Sequence, residues 1–148
     1  MSPKPFALHS ILKFRKRSED LAHEQFLRAQ LAVNKAVETL ERANKDLEIL
    51  INELETKQIN GITIEELSRY EERIQYQRLH IKELRNIHKV KKKASQKKRL
   101  KLLEKVKEHK TLTALKEQQD KSWKEYINKK EAAMLDEIAI LHHDREVN

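Results

Sequence analysis

Apolar residues return every seven positions through the first third of the chain, at Phe26, Val33, Leu40, Leu47 and Leu54. A second row, Ala22, Ala29, Ala36, Ala43 and Leu50, is offset from it by three. Two apolar rows with these spacings place both sets on one face of an α-helix and form the seam of a coiled coil. Alanine through most of one row removes bulk at the contact line, so a partner helix can approach closely while little area is buried per turn. The same stripe accounts for these residues as core, and none of them is assigned a chemical role. Pro3 and Pro5 suit an extended lead-in or a first helical turn but not a helix interior. The first helix is therefore expected to begin near Phe6 or Ala7 and to run over about residues 7–58.

The segment "TKQINGITIEEL" interrupts this pattern and contains the single glycine of the 148-residue chain. Asn60 and Gly61 can adopt the left-handed conformation that ends a helix. Thr63 is then an N-cap, with Glu66 three residues on as the second half of a capping box. Ile62 before the cap and Leu67 beyond it have the spacing of a hydrophobic staple. A turn at residues 59–63 is too short for anything but antiparallel neighbours.

Leu67, Tyr70, Ile74, Ile81 and Leu84 supply the matching stripe on a second helix expected over about residues 64–141. With the turn centred near Gly61, Leu47 should lie near Ile74 and Leu40 near Ile81, and Leu8 should come opposite about Leu115. The rest of helix two then has no counterpart on helix one, although Trp123, Ile127, Met134, Ile138 and Leu141 continue its own stripe. The fold class predicted is all-α: a long antiparallel two-helix coiled-coil hairpin, one domain over residues 1–148, with the C-terminal helix overhanging. The apolar overhang calls for cover by a partner protein or a second copy of the chain.

Charge modifies the picture in one region. The formal charge is +8, with 38% charged residues and 5% aromatic residues, a composition that argues against a thick globular core. Residues 85–110 hold twelve Lys or Arg against Glu104 and Glu108, whereas residues 38–75 hold ten acids against five bases. Within the basic run the seam positions fall on His88, Lys91, Ser95 and Lys98, so packing should be weakest there. Glu19, Asp20 and Glu24 on helix one are the acids placed to offset part of it. Clustered lysines bind phosphates by counterion release, but this run has no aromatic residue to stack a base and no groove-reading motif. A solvated face and an acidic protein surface are the other readings.

Catalytic chemistry finds little to build on. There is no phosphate-binding glycine loop, no nucleophile elbow and no cysteine. Seven histidines include the pair His142 and His143 beside Asp144, but adjacent helical residues point about 100° apart and do not converge on a metal. No enzyme, cofactor or metal site is expected. The N-terminus has no apolar run of signal-peptide length, and nothing approaches the ~20 apolar residues that span a bilayer. A cytoplasmic protein with at most peripheral membrane association is the expectation.

The opening "FALHSILKFRKRSEDLAHEQFLRAQ" resembles the N-terminal helix of the flagellar export protein FliJ family, in which apolar residues, an arginine, an acidic pair and an alanine recur. Phe6, Leu8, Leu12, Arg15, Glu19, Asp20 and Ala22 occupy those places. The segment "LKEQQDKSWKEYINKKEAAMLDEIA" is similar to the family's C-terminal pattern, with the "LDE" step at Leu135, Asp136 and Glu137. The lysine-rich centre is not part of the likeness. The resemblance implies a non-catalytic component of the flagellar type III export apparatus, a coiled coil similar to the stalk of rotary ATP synthases. It also implies three partners: the hexameric flagellar export ATPase, whose pore the stalk would occupy, the membrane-embedded export gate, and export chaperones. The equivalent stalk of an injectisome and a basic coiled coil that binds nucleic acid are the alternatives.

Partner contacts are expected at the end where the N-terminus and the overhang meet. Leu8, Leu12, Glu19 and Asp20 come from the family pattern. Arg15 stands at a seam position that normally takes an apolar residue, and Arg17 lies nearby with a guanidinium suited to carboxylates. On the overhang, Asp136 and Glu137 would meet basic loops of a ring, and Leu135 and Ile138 would add apolar contact. This end is expected to enter the ATPase, with the turn at Gly61 directed away.

Overall fold

A computed structural model describes residues 8–147. These residues form two helices packed against each other, α1 (His9–Asn60) and α2 (Ile64–Val147), joined by Gly61, Ile62 and Thr63. The antiparallel hairpin read from the sequence is the fold. The expected start of α1 at Phe6 or Ala7, with its approach through Pro3 and Pro5, lies outside the described residues. At its other end α1 continues two residues past the expected 58, up to the glycine itself. Gln58 and Ile59 carry no helix-breaking character, and Gly61 is the first residue able to leave. α2 starts where the cap at Thr63 predicts and runs on past Leu141 to Val147, since no glycine or proline intervenes.

The turn works as its residues suggest. Gly61 has φ of +103° and is the one described residue with positive φ. Asn60, the other candidate for that conformation, remains helical. The Thr63 hydroxyl accepts the Glu66 backbone N–H at 3.2 Å, and the Thr63 carbonyl accepts the Leu67 N–H at 3.0 Å. One of the donors left unpaired at a helix start is thereby satisfied by a side chain. Glu65 and Glu66 put negative charge in the first turn of α2, where the helix dipole favours it. Ile62 and Leu67 are both half-buried beside the cap.

Contacts divide the chain into two units. In one, Asp20–Leu103, α1 and α2 pack through the predicted seam. All ten α1 seam residues are buried or half-buried, with Ala22, Ala43 and Leu50 buried. Opposite them, Ile74 and Ile81 are buried, while Leu67, Tyr70 and Leu84 are half-buried. Among the described residues no large side chain is fully covered, as a single layer of two helices requires. Where alanine lets the helices close up, a side chain of one reaches the backbone of the other: Gln77 Nε2 donates to the Ala43 carbonyl at 3.0 Å. Farther along, the seam turns polar. Ser95 is buried and its Oγ donates to Gln30 Oε1 at 3.2 Å, while His88 and Lys98 are half-buried. Lys91, also at a seam position, is exposed, as a long lysine stem allows by carrying its ammonium to water.

The second unit joins Met1–Glu19 to Glu104–Asn148, of which the described parts are the first turns of α1 and the C-terminal half of α2. Its helical pairing uses Leu8, Leu12, Arg15, Ser18 and Glu19 against Val106, Glu108, His109 and Leu112, all half-buried. From Glu117 to Val147 only Trp123 and Ile127 are even half-buried. Threonines inside the helices are reconciled with helical geometry by local bonds: Thr39, Thr56, Thr111 and Thr113 each donate to the carbonyl four residues back.

Candidate functional site

The expected partner residues at the N-terminal end of α1 divide into those used internally and those left on the surface. Arg15 Nη1 donates to Glu108 Oε2 at 2.9 Å, and Lys105 Nζ approaches the same oxygen at 3.5 Å. A polar residue at this seam position is thus explained by a cross-helix ion pair. Its contribution is modest, because both side chains are more than a third exposed. Glu19 lies against His109 Nδ1, with its inner oxygen shielded from water. That contact becomes a hydrogen bond when Nδ1 carries a proton and an ion pair when the imidazole is charged. Glu24 pairs with Arg28 on its own helix at 2.7 Å. Glu19 and Glu24 therefore do not neutralise the lysine run, as the sequence reading supposed; the register brings His109 to Glu19, and Arg28 is nearer to Glu24.

Arg17 is exposed, as is Phe14, whose ring lies 6.0 Å from the Arg15 guanidinium carbon. Phe14 escaped the sequence reading because it falls off the seven-residue rows. Leu8 and Leu12 are half-buried, and the Leu12 N–H bonds the Leu8 carbonyl at 2.8 Å, which fixes both at the start of α1. Asp20 is exposed at the beginning of the other unit.

On the C-terminal part of α2, Leu135, Asp136, Glu137 and Ile138 are all exposed. Met134, Ile138 and Leu141 form a stripe by helical spacing, and each is more than half exposed, at 55%, 58% and 62%. Trp123 and Tyr126 stack obliquely at 5.7 Å between centroids. The overhang thus offers an open apolar stripe with two adjacent carboxylates beside it, a combination suited to a protein surface that is apolar with basic loops.

The Asp20–Leu103 unit has a different surface. Beside the seam, Ile49, Tyr76, Asp46, Glu53, Glu72 and Arg73 line an open groove, and Ile49 also borders a second one with Tyr70. Tyr70 is flanked by the Lys57 ammonium at 5.4 Å and the Arg73 guanidinium at 5.7 Å from its centroid. Tyr76 is 72% exposed and Leu79 57%. Among the described residues no helix is long and apolar enough to cross a membrane.

Residues 3–148 match the family described as flagellar FliJ protein, nearly the whole chain. Comparison with curated proteins and with solved structures gave no match.

Proposed function

We propose a stalk role in flagellar protein export, from the premise that this chain belongs to the flagellar FliJ protein family. Membership makes it a flagellar export-related component. The finer reading is that the protein is a non-catalytic coiled coil that sits in the ring of the export ATPase, links it to the membrane export gate and escorts substrate chaperones. It would act at the cytoplasmic face of the membrane.

One observation carries this reading: the unpartnered apolar stripe of α2 with Asp136 and Glu137 beside it. An exposed stripe of that size on a helix otherwise built for solvent is a docking surface more often than an accident. Carboxylates next to it suit the basic loops of a ring, and charge of this kind sets orientation and encounter rate more than affinity. The exposed groove at Ile49, Tyr70 and Tyr76 on the other unit supports a second contact, which we assign to the gate.

The test is the rate of ATP hydrolysis by the purified export ATPase ring with and without this protein. Asp136→Lys with Glu137→Lys, and separately Arg17→Glu, should reduce stimulation while the far-ultraviolet circular dichroism of the free protein is unchanged. Arg15 is unsuitable for this purpose, because its reversal also breaks the pair with Glu108. Full stimulation by both variants would exclude this end as the ATPase contact.

A further inference from the structure

Between Arg85 and Leu103 the chain has nine Lys or Arg and no acid. None of the nine enters an ion pair among the described residues, whereas Arg15, Arg28, Lys105 and His109 elsewhere each have an acidic partner. Four steps of the row Arg85, Lys89, Lys93, Lys97 and Lys101 bring like charges to i,i+4 spacing, an arrangement that weakens a helix. The hairpin therefore gains nothing from these charges.

Their placement is directional. The residues of this stretch that turn toward α1 are Ile81, Leu84, His88, Ser95, Lys98 and Leu102, all buried or half-buried. At about 100° per residue, the opposite side carries Lys82, Lys93 and Lys97, with Lys89 and Lys101 toward its margins. Three aliphatic residues share it: Leu79, Val90 and Leu100, exposed by 57%, 64% and 63%. All five lysines are exposed too. Glu83 stands at the same margin as Lys101, and the face extends roughly 33 Å along the helix from residue 79 to residue 101.

We propose that this face of α2 binds the surface of an anionic lipid bilayer. Lysines that lie in one plane along a helix are attracted to a negative membrane surface, and their long stems let the ammonium groups at the margins reach the headgroups. Exposed aliphatic side chains among them insert shallowly at the headgroup boundary, the second element of interfacial helices. Phosphates of a nucleic acid answer the charges equally well but leave Leu79, Val90 and Leu100 unused, and the face has no aromatic side chain for a base. A helix surface is also convex, which fits a broad plane better than a ligand that needs a pocket. The inference does not depend on the ATPase contact, which involves other residues.

The experiment uses the full chain and floats it with vesicles of phosphatidylcholine alone or with about a third phosphatidylglycerol, at an ionic strength near 0.15 M. The anionic vesicles should carry at least about tenfold more protein than the neutral ones. Lys89→Gln with Lys93→Gln and Lys97→Gln should remove most of that binding, whereas Lys129→Gln with Lys130→Gln, equally exposed elsewhere on α2, should leave it intact. Val90→Ser with Leu100→Ser should lower vesicle binding several-fold yet leave unchanged the residual affinity for a short DNA duplex measured in parallel. Helical content of each variant is checked by circular dichroism. Equal binding to both kinds of vesicle, equal loss in the two lysine variants, or a tighter hold on the duplex than on the anionic vesicles at that salt would overturn the proposal.

Discussion

Replacing Gly61 isolates the contribution of one backbone conformation to the hairpin. A Cβ built on Gly61 meets nothing within 4 Å, so a side chain there has room and any cost must come from the backbone. With φ at +103°, that cost is the strain of placing an L-residue in the left-handed region, roughly 1–2 kcal/mol. For Gly61→Ala, the lower entropy of the unfolded chain offsets part of it, by ~0.4–1 kcal/mol, leaving a net loss of about 1 kcal/mol. Gly61→Val adds the intolerance of a β-branched residue to positive φ and should lose about 2 kcal/mol. Gly61→Asn should lose least, since asparagine visits this region most readily among the larger residues. Urea unfolding followed by circular dichroism measures the series, with midpoints falling in the order Gly, Asn, Ala, Val. A valine variant as stable as the parent, or an alanine variant more stable than it, would refute the reasoning, because either result requires the turn to be free of that strain.

Other perturbations test the seam. Ile81 is the most thoroughly covered apolar residue, at 3% exposure, so Ile81→Ala should cost about 2–4 kcal/mol in urea unfolding, while Ile59→Ala at 85% exposure should cost under about 0.5 kcal/mol. Ala43→Leu should force the helices apart and cost ~1–3 kcal/mol, and a gain in stability would mean that the alanine row is not the line of closest approach. Arg15→Glu should lose up to about 1 kcal/mol in the same assay, and Glu108→Arg added to it should restore most of that loss.

The seven-residue rows and the turn were legible in the sequence because each depends on local rules: helical periodicity, the tolerance of glycine for positive φ and the cap at Thr63. The register followed from the turn, and the bonds from Gln77 to Ala43 and from Ser95 to Gln30 agree with it to within a turn of helix. The polar pairings were not legible. Whether Glu19 faces a lysine or His109 depends on one or two residues of register, which no local signal sets. Lys91 shows the same limit, since periodicity counts positions but a lysine stem can leave the seam for water. At the candidate site, the exposure of Leu135 to Ile138 was readable from the excess length of α2 over α1. Arg15 stands out in the sequence as a polar residue at a seam position, but its bond to a carboxylate 93 positions away, at Glu108, is not signalled by anything local.

The orientation of the protein in the export apparatus is the central claim, and site-specific photocrosslinking tests it most directly. A photoreactive residue is placed at Glu137 in one variant and at Tyr76 in another, each in the presence of the assembled export ATPase and gate. Capture of the ATPase from position 137, with the gate captured from position 76, is the predicted result. Capture of the ATPase from position 76 and not from 137 would contradict the account.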